Sequence, residues 1–279
     1  MTGILYVVAT PLGNLGDLSP RAADLLRTVP VVAAEDTRRT QGLLSSIDAH
    51  PRLISYHAHS TDRREDALLE LLRGGQDVAL VTDAGTPAIS DPGFALVAAA
   101  HASGIVVTPI PGPTAVATAL SASGLAGDRY LFLGFLPRKG PERDRLLGRV
   151  AVEPWPVVLF EAPGRLTDLL GELAAVSGGN RVAVVARELT KLHEELRRGT
   201  LEELRTYYLD QPARGEITLV VAGRPDDQES VGTDPALVRS AVREWRAAGV
   251  SRKDAVRRAS DRFGIPRNEA YDLVMDDAD

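Results

Sequence analysis

The sequence predicts an α/β fold made of two domains, with a small helical extension at the C-terminus. Three observations carry this. Short β-branched runs alternate with helical periods from Ile4 to about Ala222. At 279 residues and 44% hydrophobic content, the chain is at the upper limit of a single unbroken core. After Gly223 the composition turns to Arg-Pro-Asp-Asp-Gln-Glu-Ser, a linker, and everything beyond it has helical character.

The first strand, Ile4–Ala9, ends at Thr10-Pro11-Leu12-Gly13-Asn14-Leu15-Gly16-Asp17, and Ser19-Pro20 then starts a helix. Gly13 and Gly16 lack the Rossmann spacing, so no dinucleotide site is expected. Strand Val31–Ala34 runs into a second loop, Glu35-Asp36-Thr37-Arg38-Arg39-Thr40. Strand Arg52–Tyr56 precedes His57 and His59, which either line a crevice or serve structure alone, and Thr61 before Asp62-Arg63-Arg64-Glu65 starts the next helix. Strand Val78–Thr82 feeds the glycine-rich loop Asp83-Ala84-Gly85-Thr86-Pro87-Ala88-Ile89-Ser90-Asp91-Pro92-Gly93. There Asp91 reads as the N-cap and Pro92 as the first residue of a helix through Phe94–Ala102. Strand Val106–Ile110 ends at Pro111-Gly112-Pro113-Thr114-Ala115, which opens a helix over Thr114–Ser123.

The first half therefore predicts a largely parallel sheet. The second half, with strands Tyr130–Phe135, Val157–Glu161, Val182–Ala186 and Ile217–Ala222 and a helix from Thr200-Leu201-Glu202-Glu203, predicts a mixed one. The expected domains are 1–118, 119–224 and a linker with helical extension over 225–279. In the extension, helices start at Asp234-Pro235, at Ser251 and after Gly264-Ile265-Pro266, and the last two have the proportions of a helix-turn-helix.

Composition removes several functions. With no cysteine there is no disulfide, thiolate metal site or cysteine nucleophile, and the five histidines have no metal-ligand spacing. No apolar run reaches membrane-spanning length and Met1 to Val8 carries no charged leader, so a soluble, cytoplasmic protein is expected. A net charge of −6 argues against coating nucleic acid by bulk electrostatics and asks for a local basic patch. One lies between Asp234 and Asn268, where nine basic residues face four acidic ones, and it reads either as a nucleic-acid contact or as a solvated helix face.

Four loops follow four strands of a parallel sheet, so all four can converge on one crevice. The loop at Asp83 contains no basic residue, which suits a zwitterionic or cationic ligand better than a triphosphate. Together these loops resemble the tetrapyrrole methylase superfamily, and the fold expected is of that two-domain kind rather than Rossmann. The resemblance narrows to the ribosomal small subunit methyltransferase I family through the Thr10 to Asp17 loop, Ala34-Glu35-Asp36-Thr37-Arg38, Thr82 to Pro87, Phe135-Leu136-Pro137-Arg138-Lys139-Gly140, Phe160-Glu161-Ala162-Pro163 and Arg187-Glu188-Leu189-Thr190-Lys191. It covers Leu5 to about Val221. Its members use S-adenosylmethionine to methylate the ribose 2′-hydroxyl of a cytidine in the decoding region of 16S rRNA, and the resemblance implies a homodimer. One departure is Gly164, where the family pattern Ala-Pro-His-Arg has histidine.

By this resemblance the cofactor lies against Pro11, Leu12, Asp83, Gly85, Thr86, Ile89, Thr114, Ala115, Phe160 and Ala162. Asp83 could equally cap the turn after its strand. Methylating a hydroxyl requires its proton to leave, so a base or strict positioning is needed. Of 32 basic residues only three are lysines, and two of them, Lys139 and Lys191, fall in the motifs. A desolvated lysine can release a proton and an arginine cannot, so Lys191 with Glu188 or Glu161 is the catalytic candidate; a surface salt bridge would explain the same residues. Asp36, Arg38, Arg39, Arg138 and Lys139 are candidates for RNA contact, with Arg143, Arg145 and Arg149 extending an exposed basic cluster behind Lys139. Two other readings stand beside this one. The acceptor could be a tetrapyrrole or a protein, or the chain could be a non-enzymatic RNA-binding assembly factor; low aromatic content, 5%, speaks against a stacking-based single-strand binder.

Overall fold

The computed structural model describes residues 2–57, 62–125, 127–225, 235–263, 265 and 267–275. The first sheet holds β1 (Ile4–Val8), β2 (Val31–Ala34), β3 (Arg52–Ser55), β4 (Val78–Val81) and β5 (Val106–Ile110) in the order β3-β2-β4-β1-β5, every pair parallel. Its central strands are apolar at every position because both faces are covered. Helices α1 (Pro20–Thr28) and α2 (Thr37–Ser46) supply Ala22, Leu26 and Leu44 against Val32, Ala34 and Val81. On the opposite face α3 (Asp62–Arg73) and α4 (Phe94–Ala102) bring Leu68, Leu72, Leu96 and Ala100 against Leu5, Val31, Ala33 and Leu80.

Helix α5 (Ala115–Ser123) leads into a second sheet of β6 (Leu131–Phe135), β7 (Val157–Glu161), β8 (Val182–Arg187), β9 (Glu195–Thr200) and β10 (Ile217–Val221). Their order is β6-β7-β10-β8-β9, with only β6 and β7 parallel. Strand alternation sorts the side chains by face. Val157, Leu159, Ala183, Val185, Ile217 and Leu219 meet α6 (Pro141–Val152), α7 (Leu166–Ser177) and α8 (Leu201–Asp210). Val158, Val184, Ala186 and Val220 face the other way, onto α5, Leu12 and Leu189, so one apolar cluster joins the two sheets. Helices α9 (Pro235–Ala247), α10 (Arg252–Phe263) and α11 (Arg267–Met275) share a cluster of their own around Val238, Val242, Ala259 and Val274.

All nine expected strands form, to within a residue at their ends, and so do the caps at Ser19 and Thr200, the latter as a complete capping box. The start signals at Thr61, Asp234, Gly264 and Pro266 lie outside the described residues, as does His59. Three expectations need correction. Asp36 to Thr40 is not an open loop: Asp36 caps α2, and Arg38 and Arg39 sit in its first turn. Asp91 does not cap α4; the helix begins two residues later than its Asp-Pro signal, with Gly93 at the N-cap and no side-chain bond. The unforeseen strand β9 is a charged edge, Glu-Leu-Arg-Arg-Gly-Thr, without the apolar alternation that marks a half-buried strand. It is held by pairing to β8, by ion pairs from Arg187 and Arg197 to Glu195, and by the Arg197 guanidinium stacked 3.4 Å from the Tyr207 ring centroid.

Gly93 is the residue on which this entry to α4 turns. Its φ of +135° is closed to other residues, and a Cβ there would fall 2.7 Å from Leu80 Cδ2 in the core. Gly93→Ala is expected to destabilise the fold by about 2–3 kcal/mol in urea unfolding. A loss under about 0.5 kcal/mol would contradict this account of the turn.

Candidate active site

The four loops after β1, β2, β4 and β5 meet at the C-terminal edge of the first sheet because those strands are neighbours in it. They are tied together in turn. Thr10 and Gly85 exchange backbone hydrogen bonds of 2.9 and 3.1 Å, and the Thr10 hydroxyl donates to the Thr82 carbonyl at 3.1 Å. The Asp36 amide donates to Asp83 Oδ1 at 3.1 Å, and the Thr86 hydroxyl donates to the Pro113 carbonyl at 3.2 Å. The second sheet closes the space from above with Phe135 at the end of β6, Phe160 to Pro163 at the end of β7, and Gly215 to Thr218 leading into β10. The result is a cleft of about 390 Å³, within the ordinary range for small-molecule sites.

Nine of the ten expected cofactor residues line this cleft: Leu12, Asp83, Gly85, Thr86, Ile89, Thr114, Ala115, Phe160 and Ala162. Pro11 is buried and does not line it. Glu161 lines it while almost fully buried, accepting the Ala162 amide at Oε1 (2.8 Å) and standing 3.2 Å from Arg165 at Oε2. Of the expected RNA contacts, Arg39 reaches the cleft and lies 3.5 Å from Asp83, whereas Arg38 is exposed and doubly bonded to Asp36. The hydrogen bonds from Arg38 hold the half-buried Asp36 carboxyl down to about 2. Arg138 and Lys139 are exposed just beyond Phe135.

The basic cluster behind Lys139 is only partly a surface feature. Arg143 is buried, donating to the Pro137 carbonyl at 2.8 Å and pairing with Glu172, while Arg149 covers the buried Glu153. Helical periodicity of the Pro141–Val152 segment puts Arg143 on the inward face with Leu147 and Val150, which the charge pattern alone concealed.

Lys191 and Glu188 stand beside the cleft rather than in it. Lys191 Nζ donates to Glu188 Oε1 at 2.9 Å and to Glu216 Oε2 at 3.0 Å, and Glu216 lines the cleft. Two glycines make room for this arrangement: a Cβ on Gly13 would strike the Lys191 side chain, and one on Gly215 would strike the Glu188 carboxylate. Partial burial works against the ammonium, but hydrogen bonds to the two carboxylates more than offset it and raise the Lys191 pKa. Glu188 is correspondingly lowered, chiefly by the Lys191 bond. Lys191 is therefore held charged, a donor and orienting group rather than a proton acceptor.

The cleft residues that sequence reading did not assign include Glu35, Asp91, Phe135 and Glu216. Phe135 packs against Phe160 with the rings tilted by 57° and their centroids 5.5 Å apart, forming an aromatic wall. Burial raises the Glu35 carboxyl, with the nearby Asp83 charge adding to it and an Asp83 amide bond opposing it. Asp91 goes further: burial, then the charges of Glu35, Asp83 and Glu216, push it up to about 7. A carboxylate-rich cleft with an aromatic wall, and with the uncapped N-terminus of α5 at Thr114 opening into it, fits a ligand that is cationic at one end, carries a carboxylate and has a flat ring. S-adenosylmethionine has that character. Among the described residues no cluster has the geometry to hold a metal ion, and no helix is long and apolar enough to cross a membrane.

The two-sheet architecture with its cleft is the fold of methyltransferases of corrin and porphyrin chemistry. A cobalt-precorrin-4 methyltransferase of cobalamin biosynthesis matches 78% of this chain and 94% of its own at a TM-score of 0.61 and 17% identity. A uroporphyrin-III C-methyltransferase from Thermus thermophilus, solved with S-adenosylhomocysteine, matches 79% and 97% at 0.58 and 21%. The chain belongs to the tetrapyrrole (corrin/porphyrin) methylase family, whose model matches residues 4–205, and within it to the ribosomal RNA small subunit methyltransferase I family. The member from Synechocystis sp. is 46% identical over 275 residues, covering 98% of both chains, and that from Micromonospora olivasterospora is 45% identical over 276, covering 98% of this chain and 87% of its own.

The raised Asp91 carboxyl has a consequence for stability. Its folded pKa exceeds its ordinary value of 3.8, so the native state favours the protonated form and ionisation works against folding. Asp91→Asn should therefore raise the melting temperature of the free protein. The gain should be small near about pH 4, grow through the interval up to about 7, and level off above it. Equal gains at about pH 5 and about pH 8 in thermal scans would show that Asp91 is not raised.

Proposed function

We propose that this protein transfers a methyl group from S-adenosylmethionine to the ribose 2′-hydroxyl of a cytidine in the decoding region of 16S rRNA. The observation that carries the reading is kinship over nearly the whole chain, 98% of it, with proteins named ribosomal RNA small subunit methyltransferase I. The cleft supports it chemically. When bound, S-adenosylmethionine supplies a positively charged sulfonium whose methyl group is electrophilic. Asp83, Glu35, Asp91 and Glu216 provide a negative field for that cation, Phe135 and Phe160 a wall for a flat ring, and the α5 N-terminus a seat for a carboxylate.

Acceptor RNA would approach across the open rim, where Arg38, Arg39, Arg138 and Lys139 offer phosphate contacts. Lys191, held between Glu188 and Glu216, would orient the hydroxyl or the Glu216 carboxylate that faces it. In this scheme residues 1–118 and 119–224 form the two walls of the cleft, 225–279 is an RNA-facing extension, and the working form is a cytoplasmic homodimer. The basic helices α9 and α10 suit such a role, since a small macrocycle would need none of their charge.

The direct test is transfer of labelled methyl groups from S-adenosylmethionine to undermethylated small ribosomal subunits, followed by nucleoside analysis. Labelled 2′-O-methylcytidine is the expected product, and a label on protein or on another nucleoside would overturn the acceptor. Lys191→Ala is expected to slow transfer by about 10–100-fold with cofactor affinity retained. Near-normal turnover would remove Lys191 from the site.

A further inference from the structure

Asp91 is the one cleft carboxylate that the fold leaves without compensation. Arg39 lies against Asp83, Arg165 against Glu161, and Lys191 spans Glu188 and Glu216. Glu35 accepts the Asp83 amide and feels the opposing charges of Arg39 and His57. No hydrogen bond or ion pair from the described residues reaches the Asp91 carboxylate, although the residue is half-buried. Every charge that bears on it, Glu35 after β2, Asp83 after β4 and Glu216 before β10, is negative.

The backbone holds it there at a cost. Ala88 and Ser90 take positive φ of 67° and 64°, a region that residues other than glycine and asparagine seldom occupy, and Gly93 follows at 135°. This path removes Asp91 from the helix cap that its Asp-Pro signal would have given it and lines the cleft with it instead. On the other side β6 makes room for the loop: Gly134 sits at a β-bulge with φ of 62°, and a Cβ there would fall 2.8 Å from Ser90 Oγ. Strain of this kind persists only where surrounding structure enforces it, and it gathers at functional sites.

Resting on the ribose-methylation reading above, we propose that Asp91 is the catalytic base: its carboxylate accepts the proton of the hydroxyl that receives the methyl group. The hydroxyl oxygen forms its bond to the methyl carbon as the carbon–sulfur bond breaks. Sulfur keeps that electron pair and becomes a neutral thioether, and the proton passes to Asp91 and then to solvent, restoring the carboxylate. A carboxyl titrating at about 7 is matched to this task, since it is substantially ionised at neutral pH yet basic enough to take a proton. Lys191, held as an ammonium, cannot do the same.

The test combines single-turnover methyl transfer to undermethylated small subunits with calorimetric S-adenosylmethionine binding, for wild type, Asp91→Asn and Asp91→Glu. Wild-type transfer should rise about tenfold per pH unit and level off near about pH 7. Asp91→Asn should be slower by about 10²–10⁴-fold and lose that limb, while Asp91→Glu recovers part of the rate. Transfer is compared at cofactor concentrations that calorimetry shows to saturate each variant, so a change in cofactor affinity does not enter the rate. Asp91→Asn turning over within about threefold of wild type, with the same pH profile, would overturn the assignment while leaving ribose methylation intact. Failure of wild type itself to methylate ribose would instead overturn the reading beneath it, and the base with it.

Discussion

Thr10 and Gly85 exchange two backbone hydrogen bonds across the tips of β1 and β4, and the cleft is organised around that joint. A parallel sheet ends in loops that have lost their ladder partners, and without a replacement they would splay into solvent. Here the loop after β4 is the hub: it bonds the β1 loop through Gly85, the β2 loop through Asp83 and the β5 loop through Thr86. Each bond contributes only about 1 kcal/mol net, but together they fix four loops relative to one rigid sheet. Backbone positions in the cleft are thereby set before any ligand arrives, which is where binding precision is gained.

Charge is distributed on this frame in a consistent way. The cations near the cleft are each committed to a carboxylate, and the surplus of negative charge is left inside while exposed arginines and a lysine stand on the rim. Such a division separates two tasks that a uniformly basic surface could not perform at once. Under the proposed function the interior would attract a small cation and the rim a polyanion, although the chain as a whole carries −6. The second sheet contributes strain as well as charge. Among the described non-glycine residues with positive φ, Ala88 and Ser90 lie in one cleft-facing loop, Glu188 and Thr190 in the segment that carries Lys191, and only Asp48 lies elsewhere. The first loop lines the cleft, and the second stands beside it with Lys191 bonded to the cleft residue Glu216.

Two arginines of this chain, Arg143 and Arg181, are buried and serve structure rather than surface. Arg143 ties α6 to Glu172 and to the Pro137 carbonyl, and Arg181 donates to the Ala151 and Ala222 carbonyls from a buried position. Buried guanidinium groups that satisfy chain-end carbonyls join helices to strand ends without a larger apolar core. A count of basic residues over Arg138 to Arg149 therefore overstates the charge available to a phosphate backbone.

The fold was largely legible in the sequence because its signals are local. Runs such as Val31–Ala34 and Val78–Val81, apolar at every position, can be stable only with both faces covered, which means a parallel sheet with helices on either side. Loops after four such strands must share an edge, so much of the cleft wall could be named from spacing and family resemblance alone. What the sequence could not determine was which side chains keep their charge and which give it up. Asp91 beside a proline has the signature of a helix cap, and only the path of Ala88 to Gly93 against β6 takes it out of that role. Lys191 and Glu216 are far apart in the chain, and only the folded second sheet makes them partners. Protonation and ion pairing depend on burial and on distances between remote residues, and these quantities exist only once the chain is folded.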